Sequence, residues 1–345
     1  REWGLAGTAT CSCPNLPAPL FAWHSQPHIT HAPSSSSLDM NRYDTDDSMP
    51  LTNQGSSETY AAESVESALP RGTRPDIRDI QRIIWLILAA NVLTIIFVVI
   101  PVVVNLPDIS SQPGWYGWDD VISLLEPMIT LPMSLLILFK SGFFSGTKTD
   151  SRAQVGLLVF FAVAASIYQQ GAGFHSAARM FKHPIQSFNT ANPDLVTQYP
   201  QLNAIYVWMR TTWEHYIGHY MYAIGGVLVS LAQLYVYRNT RAPPFKSLTE
   251  KISWVLAVLT YGITIGGVAI QFPMGTLVAL VLCVTIGFAL CGGWLWKHGN
   301  FFWNREHLFF VQYLFYAYVI GFVITVGWIS KYGLLARNEA NGGTV

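Results

Sequence analysis

Charge is scarce in this chain. Only 12% of its 345 residues are Asp, Glu, Lys or Arg, against roughly 25% in an ordinary soluble protein. The deficit is concentrated after residue 82, and it excludes a soluble domain with a normal polar surface. The formal net charge is zero, so no basic excess is available to neutralise phosphates, and no nucleic-acid partner is expected. Cysteine is equally sparse. Of the four, Cys11 and Cys13 lie near the start and Cys283 and Cys291 fall inside an apolar run, which gives no disulfide framework. No charged-then-apolar stretch opens the chain as a cleavable signal would.

Long apolar runs are abundant. Seven occur, at about 83–104, 119–140, 154–175, 212–237, 252–270, 275–296 and 307–330. Each approaches or exceeds the roughly 20 residues that carry a helix across the hydrocarbon core. In lipid the backbone must bond within its own segment, so these are helices. The expected fold is all-α: a polytopic membrane protein with seven transmembrane helices over 83–330. A cytosolic tail, 1–82, is rich in Ser, Thr, Pro and Asp and is expected to be disordered. Its first 39 residues differ in composition from the rest of the tail, and Met40 is the expected true start. Residues 331–345 form a short C-terminal tail.

Basic residues set the orientation. Arg71, Arg74, Arg78 and Arg82 precede the first run; Lys140, Lys148 and Arg152 join the second to the third. Arg238, Arg241, Lys246 and Lys251 join the fourth to the fifth, and Lys297 and Arg305 the sixth to the seventh. The opposite connections hold none, apart from Arg179, Lys182 and Arg210 in the long segment 176–211. The N-terminus is therefore expected in the cytosol and the C-terminus in the lumen. No Asn-x-Ser/Thr sequon lies in a lumenal connection to report this by glycosylation. With a tag at each end, protease added to intact microsomes should remove only the N-terminal tag. Protection or loss of both would exclude an odd number of spans in this orientation.

The remaining polar residues mark candidate sites, because an ionisable group inside a span is costly unless paired or hydrated. Glu214-His-Tyr-Ile-Gly-His219 opens the fourth run. His215 and His219 are four apart, on one helical face, a spacing that can chelate zinc with a carboxylate nearby. The alternative is a helix start at which Glu214 meets the positive end of the helix dipole. His175, Arg179 and His183 recur every four residues at the end of the third run, giving a polar stripe that either contacts lipid phosphate or partner, or pairs with Glu214. Asp119 and Asp120 open the second run as caps. Glu126 lies about two turns deeper, beside Pro127, and needs a partner. Tyr216 belongs to an aromatic belt at the interface. Glu126, His175, Glu214 and His219 are thus candidate acid–base residues, with Glu126 and His219 expected at equal depth in one cavity. His215 and His219 are candidate zinc ligands, and Arg179, His183 and Tyr216 are candidate lipid or partner contacts.

Three familiar seven-helix readings fail. No lysine lies midway along the last run to hold retinal. The motifs of G-protein-coupled receptors are missing from the third and seventh runs, and no helix carries the repeated arginines of a voltage sensor.

Two segments resemble the ceroid-lipofuscinosis neuronal protein 6 family of multi-pass endoplasmic-reticulum membrane proteins. Gly173-Phe174-His175 with His183 eight residues on matches the end of the family's third span. Glu214-His215-Tyr216-Ile217-Gly218-His219-Tyr220-Met221-Tyr222 fits the register of its next span. The similarity covers about 115–330 and is strong over 171–222. This chain has Arg179 and His215 where the family has acids. The resemblance implies seven spans, a cytosolic N-terminus, and a role in export of lysosomal proteins from the endoplasmic reticulum or in lipid homeostasis. Its expected partners are membrane lipids, lumenal cargo or other proteins of that membrane. The competing expectation is a membrane-embedded lipid hydrolase or acyltransferase that uses the His/Glu cluster, with or without zinc.

Overall fold

The computed structural model describes residues 77–104, 106–109, 116–144, 151–298, 301–302 and 307–340. The expected N-terminal tail lies outside them, except for the first turns of helix. Seven helices are long and apolar enough to cross a membrane: span one Asp79–Val98, two Trp118–Lys140, three Ser151–Ala191, four Gln201–Tyr237, five Leu248–Ala269, six Gly275–His298 and seven Phe309–Tyr332. The chain is an all-α membrane protein.

The ends of these helices follow from local chemistry. At the start of span two the Gly117 amide donates to Asp120 Oδ2 at 3.1 Å, satisfying one of the donors a helix start leaves open. Span five begins with a capping box, in which the Glu250 amide donates to Ser247 Oγ at 3.1 Å and the Ser247 amide to Glu250 Oε2 at 3.4 Å. The outer faces are apolar: Met128, Val155, Val163 and Val323 are all more than half exposed. Such a surface is unfavourable in water and natural in lipid. Span seven is the central helix, with 56% of its apolar window buried.

The segment 176–211, expected as a connecting loop, is largely helix. Span three runs unbroken for 41 residues, about 60 Å at 1.5 Å per residue and twice the hydrocarbon thickness. Pro184 sits inside it at the cost of one backbone hydrogen bond. A short helix, Pro193–Gln198, turns the chain back into span four. The Asn189 side chain donates to the Leu202 carbonyl at 3.3 Å and ties the two arms together. Span four enters the bundle as a π-helix over Met209–Gly218, a geometry found often at functional sites. Span six is likewise π-helical over Cys283–Gly292.

The spans form two groups. Span three lies along span four, and span two packs on both. Span seven packs on five and six, and span one bridges two and five. At one end the segments Arg241–Pro243 and His307 pair through reciprocal Ala242–His307 backbone bonds of 2.8 and 2.9 Å. At the other, the Arg337 amide donates to the Ile270 carbonyl at 2.7 Å, fastening the end of the chain to the connection between spans five and six.

Candidate functional site

The long third helix carries two polar stripes. Arg179 faces span two, where its guanidinium meets Asp119 and its Nε lies 2.9 Å from Asp120 Oδ1. The expected alternatives for Arg179, Glu214 or a lipid phosphate, give way to this double pair, because the first turn of span two presents two adjacent carboxylates. Lys182 takes Glu214 instead, its ammonium bonding Glu214 Oε2. The other oxygen, Oε1, lies 3.7 Å from His175 Nε2. His175 and His219 lie ring to ring at 4.8 Å, and His219 and His215 at 5.2 Å. His183 sits within the field of Lys182, Arg179, Asp120 and Glu214. Glu214 and His215 are buried. The structure therefore brings His175, Lys182, Glu214, His215 and His219 into one cluster.

Glu126 is not in it. Its side chain is fully buried. Its Oε1 accepts hydrogen bonds from Thr94 Oγ1 at 2.9 Å, Thr130 Oγ1 at 2.9 Å and Tyr168 Oη at 2.8 Å. The Tyr168 and Tyr222 hydroxyls are 2.6 Å apart, so the network continues into span four. The expected Glu126–His219 pairing is replaced by this hydroxyl nest. Equal depth did not suffice, because Glu126 faces spans one and three. Tyr216 is half-exposed, stacked parallel to Tyr220 at 6.3 Å, and stands outside the cluster.

Zinc does not fit. Among the described residues no three or more His, Cys, Asp and Glu side chains are placed to hold a metal ion. The Lys182 ammonium already supplies the positive charge at the Glu214 carboxylate, and a divalent ion there would meet like charge.

Next to the cluster, between the two groups of spans, lies a largely apolar cavity of about 170 Å³. Asn91, Tyr168, Tyr222, Tyr261, Val278 and Leu282 are among its walls. Phe272 also borders it. That ring stands edge-on to His219 at 5.6 Å and to Tyr220 at 4.8 Å, so one aromatic side chain separates the histidine cluster from the cavity.

Sequence reasoning passed over Lys182, Tyr168 and Tyr222 as site residues. The available signal was heptad spacing. Tyr168, His175 and Lys182 are seven apart on span three, two helical turns each, and so share a face. That face is the one that meets span four.

No protein-family model, no curated protein and no solved structure matches this chain.

Proposed function

We propose that this protein handles lipid inside the endoplasmic-reticulum membrane, with the polar cluster on the lumenal side. Of the two roles implied by the resemblance to the ceroid-lipofuscinosis neuronal protein 6 family, lipid homeostasis is the one the geometry supports. Export of lysosomal proteins through lumenal cargo or membrane partners rests on the resemblance alone. The observation that carries the lipid reading is the apolar cavity lying one aromatic ring away from the histidine cluster. Its volume, about 170 Å³, is close to the roughly 150 Å³ of an apolar cavity that accepts benzene. It therefore suits part of one lipid chain and excludes a whole phospholipid.

A second reading, acid–base transfer without metal, is favoured by one observation. Glu214 lies 3.7 Å from His175, whose ring lies 4.8 Å from that of His219, so a carboxylate and two imidazoles able to accept a proton lie together.

One experiment addresses both. Protein purified in mild detergent should retain a lipid class enriched over the bulk membrane, read by mass spectrometry of the extract. Equal enrichment in wild type and His219→Ala supports binding alone. An acylated lipid that accumulates only in His219→Ala supports turnover. Bulk composition in both would sink the proposal.

A further inference from the structure

We infer that the central cavity is entered sideways from the bilayer, between spans four and six, by the chain of a single membrane lipid whose headgroup stays outside. The inference rests on the lipid-handling reading above and adds the route and the part of the ligand that enters.

The route follows from which helices fail to meet. Around the cavity, spans two and four, one and two, one and five, five and six, and six and seven pack against one another, and span seven also meets span four. Span four makes no extended helix-to-helix contact with spans five or six among the described residues. Both ends of the seam between four and six are nevertheless fastened. At one end Tyr220 Oη donates to the Pro273 carbonyl at 2.8 Å. At the other Trp294 Nε1 donates to the Arg238 carbonyl at 3.0 Å. The intervening stretch of span four is about 18 residues, or some 27 Å of helix at 1.5 Å per residue. The gap thus lies at hydrocarbon depth, where lipid chains are what surrounds a spanning protein. Ala223 and Val227 on span four and Val278 and Leu282 on span six line the inner side. Ile224 and Val281, each next to a lining residue in sequence, are about half-exposed on the outer surface.

The walls decide which part of a lipid enters. Several of their polar groups are already bonded to protein. Ser230 Oγ and Tyr261 Oη are 2.6 Å apart. The Asn91 amide donates to Tyr313 Oη at 2.9 Å and the Ala257 carbonyl at 3.1 Å, and Gln233 donates to the Ser134 carbonyl at 3.1 Å. A headgroup would lose hydrogen bonds to water and gain few here. A hydrocarbon chain gives up nothing polar and fills the space. The Ser230–Tyr261 bond joins spans four and five across the cavity and limits how far the chain reaches.

Photolabelling in lipid tests this. The full chain is reconstituted in nanodiscs that contain a phosphatidylcholine with a mid-chain diazirine, and labelled residues are located by mass spectrometry. Label is expected on the inner residues Ala223, Val227, Val278 and Leu282 as well as on the outward Val281. Val278→Trp, which fills the entrance, should cut labelling of Val227 by about tenfold, the factor that a loss of about 1.4 kcal/mol in occupancy gives. Val281→Trp should leave it unchanged. Label confined to outward residues of wild type overturns the inference, whatever the variants do. If that happens while purified protein still retains an enriched lipid, the route is wrong and the lipid-handling reading stands. Inner label with no enriched lipid means the opposite: the chain enters and the proposed function fails.

Discussion

Lys182→Met is expected to destabilise the protein by roughly 3–5 kcal/mol, the usual cost of removing one partner from a buried ion pair. The cost arises at Glu214. Its side chain is 7% exposed, and without the ammonium its nearest ion-pair partner among the described residues is a histidine at 3.7 Å. Glu214→Gln alone should cost less, because an amide can still accept from Lys182 and bears no charge. The informative variant is the double one. Lys182→Met with Glu214→Gln leaves neither charge unpaired and should recover most of the loss, since replacing both ions is often close to neutral. Melting temperatures of the four proteins in one detergent form a double-mutant cycle. Simple additivity would show that the two side chains do not depend on each other, and the charged cluster would lose its organising pair.

This pair also shows where the sequence stopped being legible. Seven spans could be read from run length, because a bilayer of fixed thickness demands about 20 apolar residues and little else. The polar residues could be listed for the same reason, since each stands out against an apolar background. What pairs with what depends on angle as much as depth. The four-residue stripe His175, Arg179, His183 is conspicuous in the sequence, yet its arginine turns to span two and finds Asp119 and Asp120. The seven-residue stripe Tyr168, His175, Lys182 meets span four. Both repeats are compatible with an α-helix, and only the packing partner decides between them. Counting residues from the span ends puts Glu126 and His219 at similar depth, but depth ignores rotation about the helix axis. The helical continuation of span three to Ala191 was hidden because its residues are amphipathic rather than uniformly apolar. The cavity had no sequence signal at all. It exists because spans four and six, tied at their ends, make no extended contact between them among the described residues, and a missing contact leaves no mark on either helix alone.

Gly171→Ala is expected to disrupt the bundle although it adds a single methyl group. At Gly171 an added Cβ would lie 2.3 Å from the backbone nitrogen of Tyr222. At Gly225, on the facing helix, it would lie 2.4 Å from the backbone nitrogen of Tyr168. Small residues permit this kind of close helix approach in membranes. Neither obstacle is the end of a flexible side chain, so spans three and four would have to move apart. That movement would stretch the 2.6 Å hydroxyl contact between Tyr168 and Tyr222 and draw Tyr168 away from Glu126, which accepts its hydrogen bond at 2.8 Å. Overpacking of this sort costs about 1–3 kcal/mol, and loosening the hydrogen bonds of a fully buried carboxyl adds to it. Gly225→Ala should behave alike. Gly173→Ala is the control, two residues along the same helix with nothing within 4 Å of its added Cβ. It should be neutral or stabilising by up to about 1 kcal/mol, since alanine favours helix over glycine. The reading is the melting temperature of each purified variant. A drop at Gly171 and Gly225 with none at Gly173 confirms the crossing, and equal behaviour at all three positions would place spans three and four further apart than described. Because Tyr168 and Tyr222 also line the cavity, the variants that separate the helices should lose the retained lipid as well, while Gly173→Ala keeps it.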